Sequence, residues 1–160
     1  VCDTELSAGS LPRRAAGRER SRLVRYVAQL LGDHALAERL VCEVLTTQST
    51  QPAGPPSSRA ALYRQVHRRV AEHLARGGVD SSPRADPPLN RRAQLLDDLQ
   101  ALPLEQRAAL VLRTAGDLSH DEIAHVLDLE PAQTRSVLVK ARVALAEAGE
   151  ARKRSITKAS

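Results

Sequence analysis

The residues best able to read a nucleic acid lie near the C-terminal end, in PAQTRSVLVKARVAL over 131–145. A glutamine such as Gln133 can pair with the N6/N7 edge of adenine. An arginine such as Arg135 can fork onto O6/N7 of guanine. Lys140 and Arg142, further along, suit phosphates. The other reactive side chains form no constellation. His120 and His125 stand five apart, so they do not share a helix face as HExxH ligands do. They read as exposed or capping residues. His34, His67 and His73 lack carboxylates or thiols at ligand spacing, and Asp97-Asp98 reads as a solvated acidic face. There is no P-loop, glycine fingerprint or GxSxG, so the sequence points away from an enzyme, a metal site or a cofactor. Cys2 and Cys42 are too few and too far apart for a disulfide framework or a CxxC site. The expectation is a reduced, intracellular chain in which Cys42 sits on the apolar side of its helix as a core residue.

Gln133 and Arg135 act only if a helix presents them and another helix holds that one. Ser119 followed by Glu122 fits a capping box, which starts a short helix with Ile123, Ala124 and Leu127 on its apolar side. Asp128-Leu129-Glu130 is a short turn, and Pro131 suits the first position of the next helix. That helix is expected to bury Val137, Leu138, Ala141 and Leu145. Ala124 is small enough for a steep crossing, and Leu129 can plug the corner. A short helix, a tight turn and a longer basic helix make the helix-turn-helix plan.

Composition sets the frame. Of 160 residues, 42 % are hydrophobic, 27 % are charged, and Tyr26 and Tyr63 are the only aromatics. The core must therefore be aliphatic, and Leu and Ala favour helix. So few aromatics argue against RNA modules that stack bases. No apolar run approaches the roughly 18 residues of a membrane helix, and residues 1–20 show no signal-peptide h-region. The expectation is no membrane insertion. Arginine outnumbers lysine 21 to 3, which suits a GC-rich bacterial gene, and Val1 fits a non-AUG start or a trimmed chain. The net charge of +5 is unevenly placed: +6 over 1–92, −6 over 93–130 and +5 over 131–160. The sign switches where the longer basic helix begins.

Apolar periodicity predicts helices over Arg22–Leu31, His34–Leu45, Arg59–Ala75, Arg92–Ala101 and Leu104–Ala115, ahead of the hairpin. The Arg92–Ala101 helix carries Leu95, Leu96 and Leu99, with Leu102 after it. Two stretches rich in Pro, Gly and Ser interrupt the series, at 46–58 and 77–90. The reading is all-α: two small helical domains joined by a flexible linker, the C-terminal one a helix-turn-helix. The boundaries are a basic arm over 1–20, a first domain over 21–76, a linker over 77–91, a second domain over 92–148 and a basic tail over 149–160. In that tail, Arg152, Lys153, Arg154 and Lys158 suit phosphate contact or simple solubility.

The stretch LPLEQRAALVLRTAGDLSHDEIAHVLDLEPAQTRSVLVKARVAL resembles the C-terminal domain of extracytoplasmic-function sigma factors, small bacterial RNA polymerase subunits with two helical domains. The resemblance rests on Leu102-Pro103, Gln106-Arg107, Glu122-Ile123-Ala124 and Ala141-Arg142. LuxR-type output domains share the Glu-Ile-Ala hairpin but not the Leu-Pro…Gln-Arg lead-in. VRYVAQLLGDHALAERLVCEVL and ALYRQVHRRVAEHLA resemble, more weakly, the family's polymerase-binding segment and the helix after it. The resemblance implies a cytoplasmic, nucleoid-associated transcription initiation factor. Its partners would be RNA polymerase core, promoter DNA and an anti-sigma factor. It implies a −35-like element read by Ala132, Gln133, Arg135, Ser136, Val139, Lys140 and Arg142. Tyr63, Arg64, His67, Arg68 and Arg69 would approach −10 DNA. Asp33, Ala37, Glu38, Val41, Cys42, Glu43 and Leu45 would dock on polymerase. The chain departs from the family at Arg39, at Cys42-Glu43, at Leu45, in Arg59-Ala60-Ala61-Leu62, at Gln133-Thr134 and at Val137. The loop that captures a flipped base in the family is here TTQSTQPAGPPSS, without an aromatic. Those departures give an alternative expectation: a degenerate sigma-like interaction module that binds an anti-sigma factor, polymerase or DNA without melting promoters.

Overall fold

The computed structural model describes residues 13–50, 58–77 and 91–158. Regular structure among them is helical: α1 (Arg13–Leu31), α2 (His34–Thr50), α3 (Arg59–Ala75), α4 (Arg91–Ala101), α5 (Leu104–Thr114), α6 (His120–Leu127) and α7 (Pro131–Lys158). Every helix expected from periodicity is present, and three run longer. α1 begins at Arg13, so part of the expected arm is helical. Ala, Arg and Glu sustain a helix there without apolar periodicity. α2 passes Leu45 to reach Thr50, and in this extension the hydroxyls of Thr46 and Thr47 donate to the carbonyls of Cys42 and Glu43 at 2.8 Å. α7 continues to Lys158 and absorbs most of the expected tail. The arm before Arg13, most of the Pro-rich loop and the linker between Gly77 and Arg91 lie outside the described residues.

Local chemistry sets the helix ends. Gly32 takes a φ of 74° after α1, which glycine adopts without a Cβ penalty. Asp33 then caps α2, its carboxylate accepting from the Leu36 N–H at 3.0 Å. Ser58 caps α3 by accepting from the Ala61 N–H at 3.2 Å.

The helices pack as two sets, α1–α3 and α4–α7, that share one hydrophobic core. α1 lies against α4 and α5, and α3 lies against α6. Leu23, Val27 and Leu30 of α1, Val66 and Val70 of α3, Leu112 of α5, Ile123 of α6 and Leu138 and Ala141 of α7 are 2 % exposed or less. Each large aliphatic side chain buried in this way contributes roughly 1.5–3 kcal/mol. Both tyrosines sit at the centre of the first set, edge to face at 5.4 Å between centroids. Leu95 departs from the expected apolar face of α4: it is 51 % exposed, because the helix turns Leu99 inward and Leu102, just after it, is buried.

Arg107 clasps the two sets. It is buried, and its guanidinium donates to the carbonyls of Leu30, Gln100 and Leu102 and to the Gln100 side chain. These carbonyls lie at the C-terminal ends of α1 and α4, where helix carbonyls need outside donors and a cation is favoured. Gln100 also donates to the Gln29 carbonyl at 2.9 Å. On the opposite side Arg59 of α3 donates to the Gly116 carbonyl, and Arg64 meets Asp128 at 2.8 Å.

Gly116 is required by space. A Cβ there would lie 2.5 Å from the Leu112 carbonyl oxygen. Gly116→Ala is expected to destabilise the fold by about 1–3 kcal/mol. Urea unfolding checks this, and a loss below about 0.5 kcal/mol contradicts it.

Candidate nucleic-acid interface

The C-terminal hairpin is built as its sequence prescribes. Ser119 accepts from the Glu122 N–H at 3.2 Å, and the Glu122 carboxylate accepts from the Ser119 N–H at 2.8 Å. These bonds hold the Glu122 pKa below the usual carboxylate range. Asp128 turns the chain at φ 58°, and the Leu129 N–H returns to the Ala124 carbonyl at 2.9 Å. Ala124 is buried at the crossing, as expected, and Leu129 is half-buried in the corner. α7 packs on α5 and α6 through Leu138 and Ala141, with Val137 and Leu145 half-buried.

All seven α7 residues expected to face DNA are exposed: Ala132, Gln133, Arg135, Ser136, Val139, Lys140 and Arg142. Thr134 turns the other way, fully buried, with its hydroxyl donating to the Glu130 carbonyl at 3.2 Å. Val139 and Val143 are 58 % and 50 % exposed, one helical turn apart. Val143 was missed by the sequence reading, although its spacing of four from Val139 places it on the same face. An apolar side chain here can meet a thymine methyl. Gln133 has a local task, because its side-chain oxygen accepts from the Glu130 N–H at 3.0 Å at the start of α7. Among the described residues Arg135 makes no such local hydrogen bond or ion pair, which leaves it as the better base-reading side chain. In the tail, Arg152 is tied to Asp98 of α4 and Lys153 to Glu150. Asp98 is therefore a packing partner, contrary to the expected solvated face.

The first set of helices corrects more. Tyr63 is fully buried and cannot touch DNA in this arrangement. Arg59 lies over its ring at 5.7 Å and is also held by Glu19 at 3.2 Å. His67 faces inward, its Nδ1 2.8 Å from the Tyr26 hydroxyl. Arg69 pairs with Glu43 at 2.7 Å, and Arg68 is the exposed member of the group, 3.7 Å from Glu72. Of the expected polymerase contacts, Ala37 and Val41 are fully buried and belong to the core. Asp33 is the α2 cap. Leu45 is half-buried against the core. Glu38, Cys42 and Glu43 remain on the outer side of α2, beside a groove. Cys42 is disulfide-bonded, which corrects the expectation of a reduced core thiol.

Burial lowers the His67 pKa to about 4. With the ring neutral, we assign the Tyr26 hydroxyl as donor to Nδ1; burial holds the Tyr26 pKa well above its ordinary value. The unfolded imidazole titrates near 6.5. Below that pH the unfolded state gains a proton that the folded state refuses. His67 therefore removes stability as pH falls from about 6.5 to 4, by roughly 3 kcal/mol in total. His67→Gln is expected to flatten the pH dependence of urea unfolding in that window, and an unchanged slope contradicts the assignment.

An exposed basic helix held by a capped short helix across a tight turn defines a helix-turn-helix. Residues 92–145 match the family model described as sigma-70, region 4. The fold is similar to that of the sigma factor RpoE, in its co-crystal structure with the anti-sigma factor NepR from Bartonella quintana. The TM-score is 0.72 at 18 % identity, over 86 % of this chain and 96 % of that one. A comparison with curated proteins finds no match. The family match lies in the C-terminal set of helices, and the likeness to RpoE is one of fold. No helix among the described residues is long and apolar enough to cross a membrane.

Proposed function

We propose that the chain binds RNA polymerase core and directs it to promoters, with α7 reading a −35-like element. The observation that carries this reading is the solvent-facing side of α7, where all seven expected contact residues are exposed beside the region 4 hairpin. Arg135, Val139 and Ser136 are assigned to base edges, and Lys140 and Arg142 to phosphates. Glu38, Cys42 and Glu43 on α2 are assigned to polymerase. Arg68, with Arg64 once freed from Asp128, is assigned to −10 DNA. By analogy with RpoE and NepR, an anti-sigma factor is a further partner.

One observation favours a second reading, a sigma-like module that binds without melting. Tyr26 and Tyr63 are the chain's only aromatics, and both are buried. A flipped base is held by stacking and edge contacts, and neither ring is offered. Run-off transcription with purified core polymerase separates the two readings. Product from a promoter carrying a selected −35-like element supports initiation. Binding to core without product on any promoter supports the module.

A further inference from the structure

We propose, on the reading of α7 as DNA-binding, that Val139 and Val143 contact the 5-methyl groups of two thymines. Methyl contact, beside hydrogen bonding, then specifies the element that α7 selects.

Helix geometry sorts the side chains of α7. At 3.6 residues per turn, each residue is turned about 100° from the last. Thr134, Leu138 and Ala141 are buried on the side that packs on α5 and α6. The opposite crest runs through Ala132, Ser136, Val139 and Val143, all of them exposed. Arg142 falls on one flank of this crest and Lys140 on the other, about 160° apart. No acidic side chain occurs between Pro131 and Ala146. Arg135, Lys140 and Arg142 form no ion pair among the described residues. The face therefore keeps its positive charge, while its crest is short and uncharged.

This make-up fits the major groove of duplex DNA. The groove is about 12 Å wide and admits one helix. A short, uncharged crest can come close to the base edges, and basic flanks meet the phosphates on either side. Val139 and Val143 are 58 % and 50 % exposed, so α7 leaves two branched apolar side chains in water one turn apart. Valine offers no hydrogen bond and cannot read the donors and acceptors of a base edge. The apolar group among those edges is the C5-methyl of thymine. Four residues of helix rise about 6 Å, and base pairs stack about 3.4 Å apart. The two valines therefore reach sites about two base pairs apart.

The test uses the full chain and a duplex selected from a random pool by binding to it. Each thymine in the duplex is replaced in turn by deoxyuridine, which lacks only the methyl. Affinity is expected to fall about fourfold at each of two positions, as for one buried methyl apiece, and to hold at the other thymines. Val139→Ala is expected to remove the sensitivity at one of these positions and Val143→Ala at the other. Both residues are exposed and alanine favours helix, so both variants should keep the wild-type urea midpoint. A selected duplex that tolerates deoxyuridine at every thymine overturns the methyl contacts and leaves α7 as a DNA-binding helix. A methyl effect that survives both alanine variants does the same. A pool with no enriched sequence overturns the DNA reading of α7 itself. A second copy of the chain is the competing occupant. Sedimentation that finds a dimer of the free chain, dispersed by Val143→Asp, assigns the crest to self-association and overturns the proposal.

Discussion

Arg107→Ala is expected to lower the unfolding free energy by roughly 3–5 kcal/mol. Three main-chain carbonyls, at Leu30, Gln100 and Leu102, lose their shared donor in one step. They end α1 and α4 inside the protein, where water cannot freely replace the guanidinium. The volume of the side chain is lost as well. Arg107→Lys keeps the charge but not the planar fork, so it should recover part of the loss and no more. The readout is the urea midpoint with its slope. A loss below about 1 kcal/mol contradicts the clasp. Arg107 joins the end of α1 to α4 and α5, so its removal should also loosen one set of helices from the other. Hydrogen exchange at the end of α1 and in α4 should rise before that of α6 and α7.

Much of this arrangement is legible in the sequence because it is local. The capping box at Ser119 and Glu122 is written within four residues, and its bonds form as expected. The buried side of α7 follows from the spacing of Leu138 and Ala141, and the outward side from what remains. What the sequence does not reveal depends on contacts between distant segments. Periodicity shows that α2 has an apolar side, but only packing against α1 shows that Ala37 and Val41 lie inside it. Tyr63 reads as a surface residue among arginines until α1 brings Tyr26 against it. Arg107 is visible as part of a family signature. Its task is not, because the carbonyl of Leu30 is 77 residues away.

Arg135→Ala carries the largest expected effect on recognition. A guanidinium that forks onto guanine is worth about 1–3 kcal/mol, or about 5- to 150-fold in affinity for the cognate duplex. Affinity for a scrambled duplex should change far less, so selectivity should relax at one base pair of the element. Lys140→Ala should act differently. If Lys140 meets a phosphate, affinity should fall by a similar factor on both duplexes, and the salt dependence of binding should lose about one unit of slope. The measurement is fluorescence anisotropy of the full chain on a duplex selected from a random pool and on its scrambled version, across a salt series. Gln133→Ala supplies the internal contrast. The glutamine oxygen is engaged at the start of α7, so its loss should show in helix stability before it shows in base preference. Equal losses on both duplexes for Arg135→Ala would move that side chain from base reading to backbone contact. No loss on either duplex would remove the outer face of α7 from the interface altogether.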